Sequence, residues 1–393
     1  MGLTSLWYPA AVTALCLALC AAIARRDPWY REHLGRVGAA RFESIDGLRG
    51  FLAIGVFFTH VIATHGYYAH GRWSSSFSPV HAVMAQAGVS LFLMITGFLF
   101  WRRALRSHGA LDARALYVSR IRRLVPMYAV SVALVLLVVG SLSGFHLREP
   151  LVTVLKELRG WMSFGFMHAG DINGVKDAHI VNAVYWTLAY EWSFYLALPL
   201  LALFARGWAF ALLAAVTVFF GIQAPITLNF LCGALAALAV DRGLLNGRLA
   251  RGWMAPLPVA AIAMVLAAFD EAYHPAAIGL LFIAFLFVVD GNSLFGLLRT
   301  RAAQLFGTVS YSFYLLHCIV LFIAFRAVDG IYPVAQLTGA QHWMIAALAA
   351  ALATLLSAFT YRRVEYPFIV AQPTPRLATL EPMGGRAGEL GRT

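Results

Sequence analysis

Eleven apolar stretches run through this chain, separated by short polar segments, and they restrict it to one kind of architecture. Inside a bilayer every backbone N–H and C=O must find its partner within the protein, so apolar segments of this length cross as helices. The expected fold is an all-α polytopic membrane protein, built as one large helical bundle. Composition agrees: 61% of the 393 residues are hydrophobic and 12% are charged, against about 25% charged in a soluble domain.

The first stretch runs from about Leu3 to Ala24. It lacks a basic start and an A-x-A-like cleavage site near its end, so it reads as a retained helix rather than a signal peptide. The others centre near Ile54, Leu93, Val135, Tyr195, Val216, Ala234, Ile262, Phe282, Leu316 and Ala350. Those near Val216 and Ala234 are short and meet at a Gln223-Ala224-Pro225 turn. Cys16, Cys20, Cys232 and Cys318 all fall in apolar stretches without a CxxC pair, and read as buried, inert thiols.

The basic residues set the expected orientation. Arg25, Arg26, Arg31, Arg36 and Arg41 follow the first stretch, and Arg102, Arg103, Arg106, Arg114, Arg120, Arg122 and Arg123 crowd the next loop on the same side. One alternating topology puts about 24 basic residues in the cytoplasm, with the amino terminus outside and the carboxyl terminus inside the cell membrane. The formal charge of +12 is then a topology signal, and no nucleic-acid partner is expected. Two outward segments are long, about Gly66 to Ala87 and about Ser143 to Asn182. The second contains LVTVLKELRGWMSF, which suits an amphipathic helix lying in the membrane interface. From about Gln372 the sequence reads as a disordered tail.

Ionisable residues within apolar runs are functional candidates. Arg49 and His60 share the run SIDGLRGFLAIGVFFTHVIA. Eleven helical steps leave them about 20° apart around the axis and about 16 Å apart along it. Asp46, three residues before Arg49, is placed to pair with it. A neutral imidazole such as His60 suits general-base work. Glu191 lies inside another run, flanked at four-residue spacing by Thr187 and Tyr195, at a depth comparable with His60. Ser310, Tyr314 and His317 share one face of a third helix. The arginine-rich loop exceeds what topology needs, and guanidinium forks suit phosphate oxygens. The outer histidines His65, His70, His81, His168 and His179 show no pattern that specifies a metal, and none is expected. Each of these residues also has a plain structural reading, as a snorkelling anchor, an interhelical lock or a packing histidine.

Taken in order, the segments resemble the acyltransferase 3 family of integral membrane O-acyltransferases, over about Ile45 to Phe368. SIDGLRGFLAIGVFFTH is similar to the opening block with its R-x10-H pattern, carried by Arg49 and His60. VSLFLMITGFLF, with Thr96 in place of the usual Ser, is similar to the next. SRIRRLVPMY resembles the basic block, carried by Arg120, Arg122, Arg123 and Pro126. YWTLAYEWSFYLALPL resembles the block whose acid is Glu191, and SYSFYLLH the block ending here at His317. VEYPF is similar to the closing block, with Glu365 retained and Tyr366 where Arg is usual. The resemblance implies a ten-span bundle across 45–370, with 1–44 an extra transmembrane helix and basic cytoplasmic linker, and 371–393 the tail.

It also implies transfer of an acyl group, usually acetyl, from cytoplasmic acyl-CoA to a hydroxyl on a cell-surface or lipid-linked glycan, with no bound cofactor. On that reading Arg102, Arg103, Arg120, Arg122 and Arg123 hold the CoA phosphates and Arg49 guides the pantetheine or its phosphate. His60 is general base or acyl-carrying nucleophile, and Glu191 orients its imidazole. Asp46, Ser310, Tyr314, His317 and Glu365 support the site. Two other readings stay open: a transporter or flippase for a lipid-linked sugar, and a non-catalytic partner in envelope assembly.

Overall fold

The computed structural model describes residues 2–38, 42–108, 110–221 and 223–371. The expected tail falls outside these, apart from Ala371, as does Arg41. Among the described residues there is no strand, only an isolated bridge between Ile172 and Val175. Seven helices among the described residues are long and apolar enough to cross a membrane, and four shorter apolar helices fill the remaining expected positions.

In chain order these are α1 (Trp7–Arg26), α2 (Pro28–Gly38), α3 (Glu43–His70), α4 (Pro79–Arg106), α5 (Ala113–Ser143), α6 (Leu151–Trp161), α7 (Trp186–Leu201) and α8 (Gly207–Gly221). Then follow α9 (Leu228–Asp241), α10 (Pro256–Ala268), α11 (Pro275–Val289), α12 (Arg301–Thr308), α13 (Ser310–Asp329) and α14 (Gly339–Thr360). A π-helical turn (Tyr361–Glu365) joins α14 to α15 (Tyr366–Val370). The expected interfacial helix is α6, which exposes Leu151, Val152 and Leu155 and buries Trp161.

Local signals account for the element starts. Asp112 caps α5 by accepting from Ala115 N at 2.9 Å, Thr300 caps α12 from Ala303 N at 3.2 Å, and Thr338 with Gln341 forms a capping box on α14. The linker after α1 is helical for the same reason. Asp27 accepts from Trp29 N at 2.9 Å, and Pro28 supplies a preset first turn. The sequence reading took this segment as a basic linker and missed α2.

α3 and α4 form the buried centre of the bundle. They are reached by neighbours at backbone distance, which only glycine permits. A Cβ on Gly307 of α12 would lie 1.7 Å from Asp46 O of α3, and one on Gly47 would lie 1.9 Å from Leu298 O. Between α4 and α9, a Cβ on Gly97 would lie 2.5 Å from Phe230 O and one on Gly233 2.2 Å from Met94 O. Gly97→Ala is therefore expected to force α4 and α9 apart, at a cost of about 1–3 kcal/mol. A lowered thermal midpoint in detergent checks this, and an unchanged midpoint would show that the two helices can separate freely. α1 lies outside this centre, with Val12, Cys16, Cys20 and Ala24 packed toward α12 and α14.

Candidate active site

The start of α3 places Arg49 in the wall of a cavity of about 760 Å³, within the range of small-molecule sites. α5 contributes Arg120 and Arg123, which share a helix face because they are three residues apart. α7 contributes Thr187, Glu191 and Tyr195, and α13 contributes Ser310, Tyr311 and Tyr314. With Arg36 of α2, four guanidinium groups thus face one carboxylate, leaving the cavity positive.

The arginines are held in different ways. Arg120 lies over the rings of Phe100 and Tyr195, at 4.8 and 5.7 Å, and donates to Ser119 Oγ at 3.1 Å. Its Nε is buried with no hydrogen-bond partner among the described residues. An unpaired buried donor in a cationic wall suits an anionic ligand. Arg123 sits 3.1 Å from Glu365, whose side chain is 0% exposed. The π-turn adds one residue to the helical register, and so turns Glu365 inward to Arg123 and to the Ser312 hydroxyl, which donates to it.

Further along α3, His60 lies among different neighbours. Its ring is 5.3 Å from that of His317 and stacks on Trp73 at 6.0 Å. His317 is fully buried, against Phe57 and Phe313. Its Nδ1 is 3.0 Å from Phe313 O. A carbonyl only accepts, so the proton sits on Nδ1 and Nε2 is left as an acceptor. Tyr314 joins the two regions. It lines the cavity, its hydroxyl is 2.7 Å from that of Thr187, and its ring is 6.0 Å from His317.

Several sequence expectations meet a different geometry. Glu191 does not touch His60 among the described residues: it accepts a hydrogen bond from Tyr195, one turn on along α7. Depth along a helix can be counted from sequence, but the direction a residue faces across the bundle cannot. Arg102, Arg103 and Arg122 do not line the cavity. Arg102 lies over Phe42 and Phe98 at 4.5 and 5.6 Å, Arg103 is exposed, and Arg122 donates to Ala371 O at 2.8 Å. Arg122 is one step from Arg123, and so points about 100° away from it. Asp46 sits one turn before Arg49 at the α3 start, outside the cavity wall. Ser310 and Tyr314 do line the wall, while His317 lies behind it.

Residues to which the sequence reading gave no site role also stand in the wall: Tyr311, Tyr361 and Tyr366, and His33 and Arg36 of α2. A signal for α2 was available in the Asp-Pro start and the closely spaced Trp29, Tyr30 and His33. His60, His317 and Cys318 form another unanticipated group, with one ligand atom from each lying within 4.8 Å of the others. Such N,N,S sets are of the kind that takes zinc. The expectation of no metal weighed only the outer histidines, and this group draws on two helices.

Comparison with known proteins agrees with the resemblance. The chain is 30% identical over 188 residues to nodulation protein 10 of Rhizobium leguminosarum bv. viciae, covering 44% of this chain and 48% of that one. It therefore spans about half the length of the curated relative that it matches. No solved structure matches. A family model described as an acyltransferase domain matches residues 42–363, from just before α3 into the π-turn. That range holds the whole α3-to-α14 bundle, and with it the chain belongs to the acyltransferase 3 family of membrane acyltransferases.

Proposed function

We infer that this protein moves an acyl group, acetyl in the first instance, from acyl-CoA to a hydroxyl of a cell-surface or lipid-linked glycan. One observation carries the reading. A cationic cavity with an unpaired buried guanidinium nitrogen abuts, through Tyr314, a histidine pair that the cavity itself does not include. Donor and base thus stand on either side of one tyrosine. In this scheme the donor's diphosphate lies among Arg49, Arg120 and Arg123, with its thioester toward Tyr314. His60 takes the proton of the acceptor hydroxyl as the oxygen attacks the thioester carbonyl. The C–S bond breaks, and the proton ends on the CoA thiol. His60 as an acyl-carrying nucleophile remains the second version of the same step. The basic end of the bundle then faces the cytoplasm, with the amino terminus outside and the carboxyl terminus inside an inner membrane.

Purified protein in nanodiscs, given radiolabelled acetyl-CoA and envelope glycan extracts, tests this. The expected result is CoA release with label moving onto glycan. Label kept on the protein would select the nucleophile version. Release without glycan labelling would reject the acceptor class. No release at all would reject the donor, and a sugar-flipping assay would then test transport.

A further inference from the structure

α2 lies outside the stretch that the acyltransferase model matches, yet it forms part of the cavity wall. Its anchorage is specific. Asp27, which caps it, is 3.1 Å from Arg362, and Arg362 in turn lies over the Trp29 ring at 5.2 Å. Tyr30 donates to Ala358 O at 2.5 Å, and burial holds its phenol protonated by pushing its pKa well up. His33 is 5% exposed, stacks on Trp29 at 4.9 Å, and meets the Tyr361 hydroxyl at 3.1 Å. Together these contacts fix α2 to the π-turn and to the end of α14, so what it presents to the cavity is held in place.

What it presents is a cation at the cavity mouth. Exposure along the wall gives the direction inward: Arg36 is 57% exposed in its side chain and Val370 is 54% exposed, against 8% for Tyr314. Among the described residues Arg36 pairs only with Glu32, at 3.5 Å, and both side chains are open to solvent. Pairs of that kind contribute little, so the guanidinium is available to exchange its partner for a phosphate. A coenzyme A thioester that enters reactive end first leaves its 3′-phosphorylated nucleotide at the mouth.

We propose that α2 is a donor-binding element added to the family core, in which Arg36 takes the 3′-phosphate of the coenzyme A nucleotide. The proposal rests on acyl-CoA being the donor. It gives the amino-terminal segment a role in choosing the donor, separate from membrane anchorage. Arg36 is exposed and its pair with Glu32 is open to solvent, so replacing it tests binding without threatening the fold.

Equilibrium binding of coenzyme A and of 3′-dephospho-coenzyme A to the full chain in nanodiscs decides the matter. Wild type is expected to prefer coenzyme A by about tenfold, the size of one charge-assisted contact. Arg36→Ala should lose that preference by weakening coenzyme A alone, and Arg36→Lys should keep part of it. Wild type that binds both forms equally, or Arg36→Ala that keeps the preference, would overturn the proposal while leaving the donor assignment standing. Wild type that binds neither form would overturn the donor assignment itself, and this proposal with it.

Discussion

His60→Ala is expected to lower the turnover of acyl-CoA about 10²–10⁴-fold, the usual contribution of a positioned base, and to leave donor binding as it was. The second half follows from position. His60 does not line the cationic cavity, and Tyr314 and His317 stand between it and that space. Single-turnover CoA release, measured beside equilibrium CoA binding, separates the two effects. A loss of binding in step with turnover would mean that His60 belongs to the donor site. Wild-type turnover would remove it from the chemistry altogether. Glu191→Ala should behave in the opposite sense, because Glu191 and its partner Tyr195 stand in the cavity wall. Its effect should fall on donor binding, where the sequence reading gave Glu191 the role of orienting the imidazole.

Breaking the Arg123–Glu365 pair is expected to be the most destabilising polar change in the molecule. Glu365 is fully buried and Arg123 is 18% exposed in its side chain, so removing either leaves the other as an uncompensated charge. That costs about 3–5 kcal/mol, whereas replacing both with apolar side chains of similar size is often neutral. Glu365→Leu and Arg123→Met should therefore each melt well below wild type in detergent. The double variant should recover most of the loss while binding coenzyme A weakly, because a wall cation is gone. Additive losses in the double variant would show that the two charges are not coupled.

The bundle was legible because its causes are local. Apolar length specified the crossing segments: α1 covers most of the first expected stretch, and all ten expected centres fall within helices. The Arg49-to-His60 spacing along α3 could be computed from helix geometry alone. Arrangement across the bundle could not, because it depends on which helices meet and how each is rotated. Glu191 was assigned to His60 on matching depth, but α7 turns it toward Tyr195. His317 was placed with Ser310 and Tyr314 on one face, yet neighbouring helices leave only the latter two on the cavity. The π-turn was invisible for a related reason. Nothing in YRRVE marks an extra residue per turn, and its effect appears only where Glu365 reaches Arg123.

The glycine contacts at the bundle centre bear on how substrates come and go. Shear between packed helices works by small sliding adjustments in the side-chain layer that separates them. At Gly47, Gly97, Gly233 and Gly307 that layer is absent, and backbone meets backbone. The central helices thus behave as one stiff block, with no lubricating seam along which to shift. Traffic through the protein would then fall to parts outside these glycine contacts. Those are the segment that lays Trp73 on His60 at one end, and α2 with α15 around the cavity mouth at the other. Donor and acceptor would each have a separate door, hung on an immobile frame.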